Sequence, residues 1–70
     1  MKRKSVQSSN LASIGYDSET LLLEIEFNDG SVYQYSGVSE KTYQDLMGAS
    51  SHGKFFHKHI KENYPTDKIS

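Results

Sequence analysis

The chain has 70 residues, no cysteine and a formal net charge of −1. A chain this short forms one domain and buries only about 60% of the surface its unfolded form exposes. The missing cysteines exclude a disulfide framework and thiol chemistry. Stability must then come from a compact core rich in aromatics, or from self-association into a homo-oligomer.

Residues 1–7 read as a flexible basic tail carrying Lys2, Arg3 and Lys4. No apolar stretch follows them, which does not fit a secretory signal, and no run is long enough to span a membrane. A cytoplasmic location is the expectation. Leu11–Tyr16 reads as a short strand, with Ala12, Ile14 and Tyr16 alternating against Leu11, Ser13 and Gly15. Alternation is clearest in the next segment. Leu21, Leu23, Ile25 and Phe27 point one way, and Leu22, Glu24 and Glu26 the other.

Asn28-Asp29-Gly30 then reverses the chain into a strand over about 31–37. A three-residue loop with a bulge at Gly30 places Ile25 opposite Tyr33 and Leu23 opposite Tyr35. A two-residue Asp29-Gly30 turn would slip the pairing and face Glu26 and Glu24 with the tyrosines. The bulged register is preferred, because it buries Leu23 and Ile25 under aromatic area and leaves both glutamates in water. Ser39 is a candidate N-cap for a helix with Tyr43, Leu46 and Met47 as its apolar stripe, ending near Gly48. Ser50 or Ser51 caps a second helix that runs toward Pro65.

The order suggests an α+β fold, a three-stranded antiparallel sheet followed by two helices packed on one face. The single domain covers residues 8–65, and 66–70 form a C-terminal tail. Ile14, Leu23, Ile25, Phe27, Tyr43, Leu46, Phe56 and Ile60 are the expected core. The other sheet face, with Leu22, Glu24, Glu26, Gln34 and Ser36, is expected to be polar and wet.

The chain resembles the KTSC domain family, which occurs as small stand-alone bacterial or phage proteins and at the C-terminus of some lysyl-tRNA synthetases. The residues carrying the resemblance are Ser8-Ser9-Asn10, Gly15-Tyr16-Asp17, Phe27, Gly30, Tyr33 and Tyr35, Val38, Tyr43, Leu46, Ser51, Gly53-Lys54, Phe56, Ile60 and Tyr64-Pro65. His57 departs from the pattern, where an amide side chain is expected, and so does Ser39, where many relatives have proline. The function that the resemblance suggests is RNA binding.

Charge is unevenly distributed. Residues 1–10 carry no acid, residues 11–50 carry seven acids against Lys41 alone, and Lys54, Lys58, Lys61 and Lys68 dominate the remainder. Such asymmetry can steer an anion to one face. Four groups of residues are candidates for chemistry. Tyr33 and Tyr35 share a strand face, where they either roof the core or form a base-stacking platform. The bulged register favours the roof. Ser50-Ser51-His52-Gly53-Lys54 has the donors, glycine and lysine of an anion site at a helix start, and the same residues also suit a plain serine N-cap. Lys54, Lys58 and Lys61 recur beside His57 as a basic ridge, or as an ordinary solvated helix face.

The histidines complete the set. His57 and His59 point in nearly opposite directions on a helix, and His52 lies two turns from His59, so no metal site is expected. No nucleophile with a paired acid or base is evident, and neither catalysis nor a cofactor is expected. The sequence reads as a small non-catalytic binding module. Its first-choice ligand is RNA, held by Ser51, Gly53, Lys54 and Lys58 with Tyr33 and Tyr35. The alternative is a module that sequesters a phosphorylated metabolite or nucleotide, or binds another protein, in an oligomer.

Overall fold

A computed structural model of the chain describes all residues from Met1 to Ser70. In chain order the elements are β1 (Arg3–Ser5), β2 (Leu11–Asp17), β3 (Leu22–Phe27), β4 (Val32–Ser36), α1 (Glu40–Gly48), α2 (His52–His59) and β5 (Thr66–Lys68). The strands form one antiparallel sheet in the order β1-β2-β3-β4-β5. The α+β class and both helices agree with the sequence, but the sheet has five strands rather than three. The segments read as tails at 1–7 and 66–70 supply the two edge strands. Both are three residues long and exposed throughout, so they carry no apolar alternation by which to read them. Their pairing is fixed by their partners instead.

The central hairpin adopts the bulged register. Gly30 sits at φ +92° and its N–H donates to Phe27 O at 2.9 Å, while Phe27 N–H donates to Ser31 O at 2.8 Å. Ile25 pairs with Tyr33, Leu23 with Tyr35 and Glu24 with Gln34. Leu21, expected to lead the apolar row, lies outside β3, 42% exposed and at φ +56°. Its carbonyl is turned to accept the N–H groups of Gly37 and Val38, each at 3.0 Å.

Between β2 and β3 the register shifts by one residue between Leu11 and Ser13. This bulge at Ala12 moves Leu11 onto the core face beside Ile14 and leaves Ser13 and Gly15 on the other. Leu11 is therefore fully buried, against the simple alternation. The core contains Leu11, Ile14, Leu23, Ile25, Tyr35, Val38, Leu46, Phe56 and Ile60. Phe27 and Tyr43, expected within it, pack against it with part of their surface open. Tyr43 stacks on Tyr16 with centroids 4.6 Å apart, and the Tyr16 hydroxyl donates to Val38 O at 2.6 Å. These contacts tie α1 to β2.

The opposite face is polar but not wet at its centre. Glu24 is only 8% exposed. Arg3 reaches from β1 to pair with its carboxylate, and Gln34 Nε2 donates to its other oxygen at 2.9 Å. Gly15 makes room for this, since a Cβ there would meet Arg3 Cγ at 2.9 Å. Ser13 Oγ donates to Glu26 at 2.8 Å. Burial of a carboxylate is tolerable only when its oxygens are paired in this way.

Ser39 caps α1, accepting from Thr42 N–H, and Ser51 caps α2, accepting from Lys54 N–H. The second helix stops at His59, well before Pro65. There Ile60 drops into the core, and Asn63 Nδ2 takes the His59 carbonyl at 2.7 Å.

Phe56 is 5% exposed and meets Phe27 and Tyr35 edge to face at centroid distances of 5.5 and 5.4 Å. Phe56→Ala is expected to cost about 3–5 kcal/mol in chemical denaturation. Phe27→Ala, at a half-open site, is expected to cost less. A reversed order would place the centre of the core elsewhere.

Candidate functional site

At the start of α2 the Ser51 hydroxyl occupies Lys54 N–H at 3.2 Å, so this donor is spent inside the fold. The N–H groups of His52 and Gly53 have no acceptor within the protein, as expected for the first turn of a helix. His52 Nδ1 lies 2.9 Å from Leu46 O, which fixes the helix start against the end of α1. The Ser8–Asn10 loop packs on the same turn: a Cβ at Gly53 would lie 3.4 Å from Ser8 Oγ and 3.6 Å from Asn10 Nδ2. That loop is held in place by the Asn28 side chain, whose Nδ2 donates to the carbonyls of Ser8 and Ser9 at 3.2 and 2.9 Å.

Two open clefts flank this turn. One, of about 520 Å³, is lined by polar residues alone: Ser9, Asn10, Ser51, Gly53, Lys54, His57 and Lys58. The other, of about 680 Å³, runs between α2 and the β4–β5 side of the sheet and is lined on the sheet side by Phe27, Tyr33, Tyr35 and Thr66. Asn28, Asp29 and Ser31 of the hairpin also line it, with Phe56, His57 and Lys61 on the helical side. Ser9, Asn10, Gly53 and His57 border both clefts. The six candidate residues are thus brought together on adjoining clefts: Ser51, Gly53, Lys54 and Lys58 in the polar one, Tyr33 and Tyr35 in the aromatic one.

The two tyrosines differ. Tyr35 is 3% exposed and belongs to the core, yet its hydroxyl has no partner in the protein and opens into the cleft. Tyr33 is half-buried and stands edge to face with Phe27 at 5.6 Å. The lysine ridge is also divided. Lys54 and Lys58 line the polar cleft, while Lys61, in the turn beyond α2, lines the aromatic one and His57 stands between.

Sequence reasoning missed Ser9, Asn10, Asn28 and Asp29. The first two belong to a motif that carries the family resemblance, but no spacing rule connects residue 10 to residue 53. No group of three or more histidine, cysteine, aspartate or glutamate side chains gathers to hold a metal. No helix is long and apolar enough to cross a membrane.

Burial pushes the Tyr35 hydroxyl up to about 12 from its ordinary 10.0, with a further contribution from Tyr33. The folded state holds this proton longer than the unfolded state does. The resulting stabilisation is complete below pH 10.0 and is lost as pH rises through about 12. An ultraviolet titration of tyrosinate is expected to show one late step near pH 12 that is missing in Tyr35→Phe. An unchanged titration would place the late-ionising hydroxyl on another residue.

Comparison with known proteins gives concordant results. The model of the KTSC domain matches residues 7–64. A crystal structure of a KTSC domain protein from Yersinia pestis superposes with a TM-score of 0.96 at 43% identity, covering 99% of this chain and 97% of the other. An uncharacterized protein of Stutzerimonas stutzeri is 42% identical over 64 residues, 91% of this chain and 90% of its own. A lysine–tRNA ligase of Nostoc punctiforme is 36% identical over 64 residues, which take in 11% of the enzyme's length. With most of its length matched by the family model and by these relatives, the chain belongs to the KTSC domain family.

Proposed function

We propose that the domain is a non-catalytic RNA-binding module that holds single-stranded RNA across the two clefts. One base lies in the aromatic cleft against Tyr33, and the phosphates next to it lie along Lys54 and Lys58 in the polar cleft. The observation that carries this reading is the continuity of the two clefts through Ser9, Asn10, Gly53 and His57. A nucleotide has the same two-part chemistry, a flat ring joined to an anion. Single-strand binders combine aromatic stacking, worth about 1–3 kcal/mol per base, with a cationic track for the backbone.

The charge distribution supports it. Glu24 and Glu26 point away from the clefts and are engaged on the far face, so these two charges do not oppose a phosphate. The stand-alone size of some relatives and the occurrence of this domain within enzymes named lysine–tRNA ligase both suit a module that brings RNA affinity to its host. The second reading, capture of a small phosphorylated ligand or free nucleotide, draws support from a cleft within the usual ligand-pocket range of about 300–1,000 Å³.

Fluorescence anisotropy with a labelled single-stranded RNA separates the two. The affinity is expected to fall steeply with salt, as counterions are displaced from each phosphate. Lys54→Glu is expected to weaken binding by about tenfold or more. Its thermal melt should barely change, since an exposed helix lysine carries little stability. Ser51→Ala is expected to lose affinity together with about 1 kcal/mol of stability, because its hydroxyl is the helix cap. Unchanged RNA affinity in Lys54→Glu removes the helix start from the site. Mononucleotides that bind as tightly as RNA would select the small-ligand reading.

A further inference from the structure

The lining of the two clefts is segregated by charge. Every lysine comes from α2 or the turn that follows it, Lys54, Lys58 and Lys61, whereas the single carboxylate is Asp29 on the opposing hairpin. A nucleotide bound there has one orientation, with its phosphate toward α2 and the edge of its base toward the hairpin. The chemistry of that edge then selects the base.

The hairpin edge is built of acceptors. Asp29 Oδ1 is taken up by Ser31, whose N–H and Oγ donate to it at 2.9 and 2.7 Å, and Oδ2 is left with both lone pairs. These bonds, that of the Ser31 hydroxyl foremost, with a smaller contribution from the charge of Lys68 on β5 outside the cleft lining, hold the Asp29 carboxyl below its ordinary range, so it is ionised and accepts only. On the neighbouring residue both hydrogens of Asn28 Nδ2 are committed to the carbonyls of Ser8 and Ser9, which fixes the amide and leaves Oδ1 as its open atom. The hairpin therefore offers an acceptor on each of two neighbouring cleft-lining residues and no spare side-chain donor.

Among the RNA bases only guanine has two neighbouring donors, N1–H and N2–H₂, on one edge. Adenine and cytosine each place a single amino group beside a ring-nitrogen acceptor, and uracil flanks one N–H with two carbonyls. Any of these three would turn an acceptor toward the ionised carboxylate. Asn10, whose backbone but not side chain is engaged locally, borders the cleft with a donor available for guanine O6.

We infer that the aromatic cleft is a guanine site, with Asp29 and Asn28 reading the base edge while α2 holds the phosphate. The inference rests on the RNA-binding reading above and names the base which that reading leaves open. The test uses the pentanucleotides UUGUU, UUAUU, UUCUU and UUUUU in anisotropy titrations against the intact protein. UUGUU is expected to bind about tenfold or more tightly than the other three, the discrimination that well-placed base-edge hydrogen bonds supply. Asp29→Asn keeps an oxygen for Ser31 and leaves an Asn-Gly turn, which hairpins favour. It is expected to erase the guanine preference, bringing UUGUU to within about twofold of the other three pentamers. Asp29→Ser, free of an Asn-Gly pair that could hydrolyse back to aspartate, is expected to do the same. Equal affinity for all four pentamers overturns the guanine assignment while RNA binding stands. So does a parallel gain for all of them in Asp29→Asn, which would mark the carboxylate as a mere source of repulsion. Failure of every pentamer to bind overturns the RNA reading itself, and the assignment with it.

Discussion

The turn at Asn28-Asp29-Gly30 decides which side chains meet α2. Gly30 reaches φ +92° without the steric cost a side chain would impose, and the resulting bulge sets Ile25 against Tyr33 and Leu23 against Tyr35. Had the chain closed one residue tighter, Glu24 and Glu26 would share a face with the tyrosines. The helices would then have to cover carboxylates or leave the aromatics in water. Either outcome removes the apolar area on which a domain this small depends. The same turn also brings Asp29 and Asn28 to the end of the aromatic cleft, so one backbone feature sets both the core and the hairpin side of the site.

A sheet covered on one face only must do something with the other. Here β1 supplies the answer: Arg3 folds across Gly15 onto Glu24, and Gln34 completes the carboxylate's bonding. The pair is weak evidence of stabilisation in its own right, because desolvation offsets much of the attraction. Its consequence is asymmetric. With Arg3 in place the centre of the polar face is satisfied, and without it a mostly buried carboxylate loses its counter-charge. A three-residue strand with no apolar side chain is thus held by what it covers. Short charged edges such as β1 and β5 also discourage further strand pairing, as edge strands in soluble proteins commonly do.

This arrangement explains what was legible in the sequence. Leu23, Ile25 and Phe27 alternate with glutamates, and serines stand at both helix starts. Local signals of this kind report local structure, and β3, β4, α1, the start of α2 and the hairpin register all follow from them. Leu11 was misplaced because the bulge at Ala12 is a property of the β2–β3 pair rather than of either strand. The edge strands were invisible for the same reason: Arg3 is specified by Gly15 and Glu24, and Thr66–Lys68 by β4. The site divides similarly. Ser51, Gly53, Lys54 and Lys58 lie within one turn or two of a capped helix and could be named from spacing. Asn10 and Asn28 reach that turn only through the tertiary fold, by way of bonds between the Ser8–Asn10 loop and the hairpin.

The aromatic cluster joins the core to the candidate site, and the division within it follows from exposure. Phe56 and Tyr35 lie inside the core, so changes there disturb folding before they disturb binding. Tyr33 is half open and contacts Phe27 only by an edge-to-face approach, which leaves ring area for a ligand without unpacking the sheet. The Tyr35 hydroxyl is the one group that belongs to both roles. Its ring is part of the core and its oxygen, with no protein partner, faces the cleft. A ligand that bonds this hydroxyl meets a donor already positioned by the packing of its ring, so ordering it costs little further entropy. The same burial raises the pKa of the hydroxyl to about 12, so it remains a donor at neutral pH. The cleft therefore combines a donor on its floor, acceptors on the hairpin and cations on the helix: the donor is set by the packing of its ring and the acceptors by the bonds of Asp29 to Ser31 and of Asn28 to the Ser8–Asn10 loop.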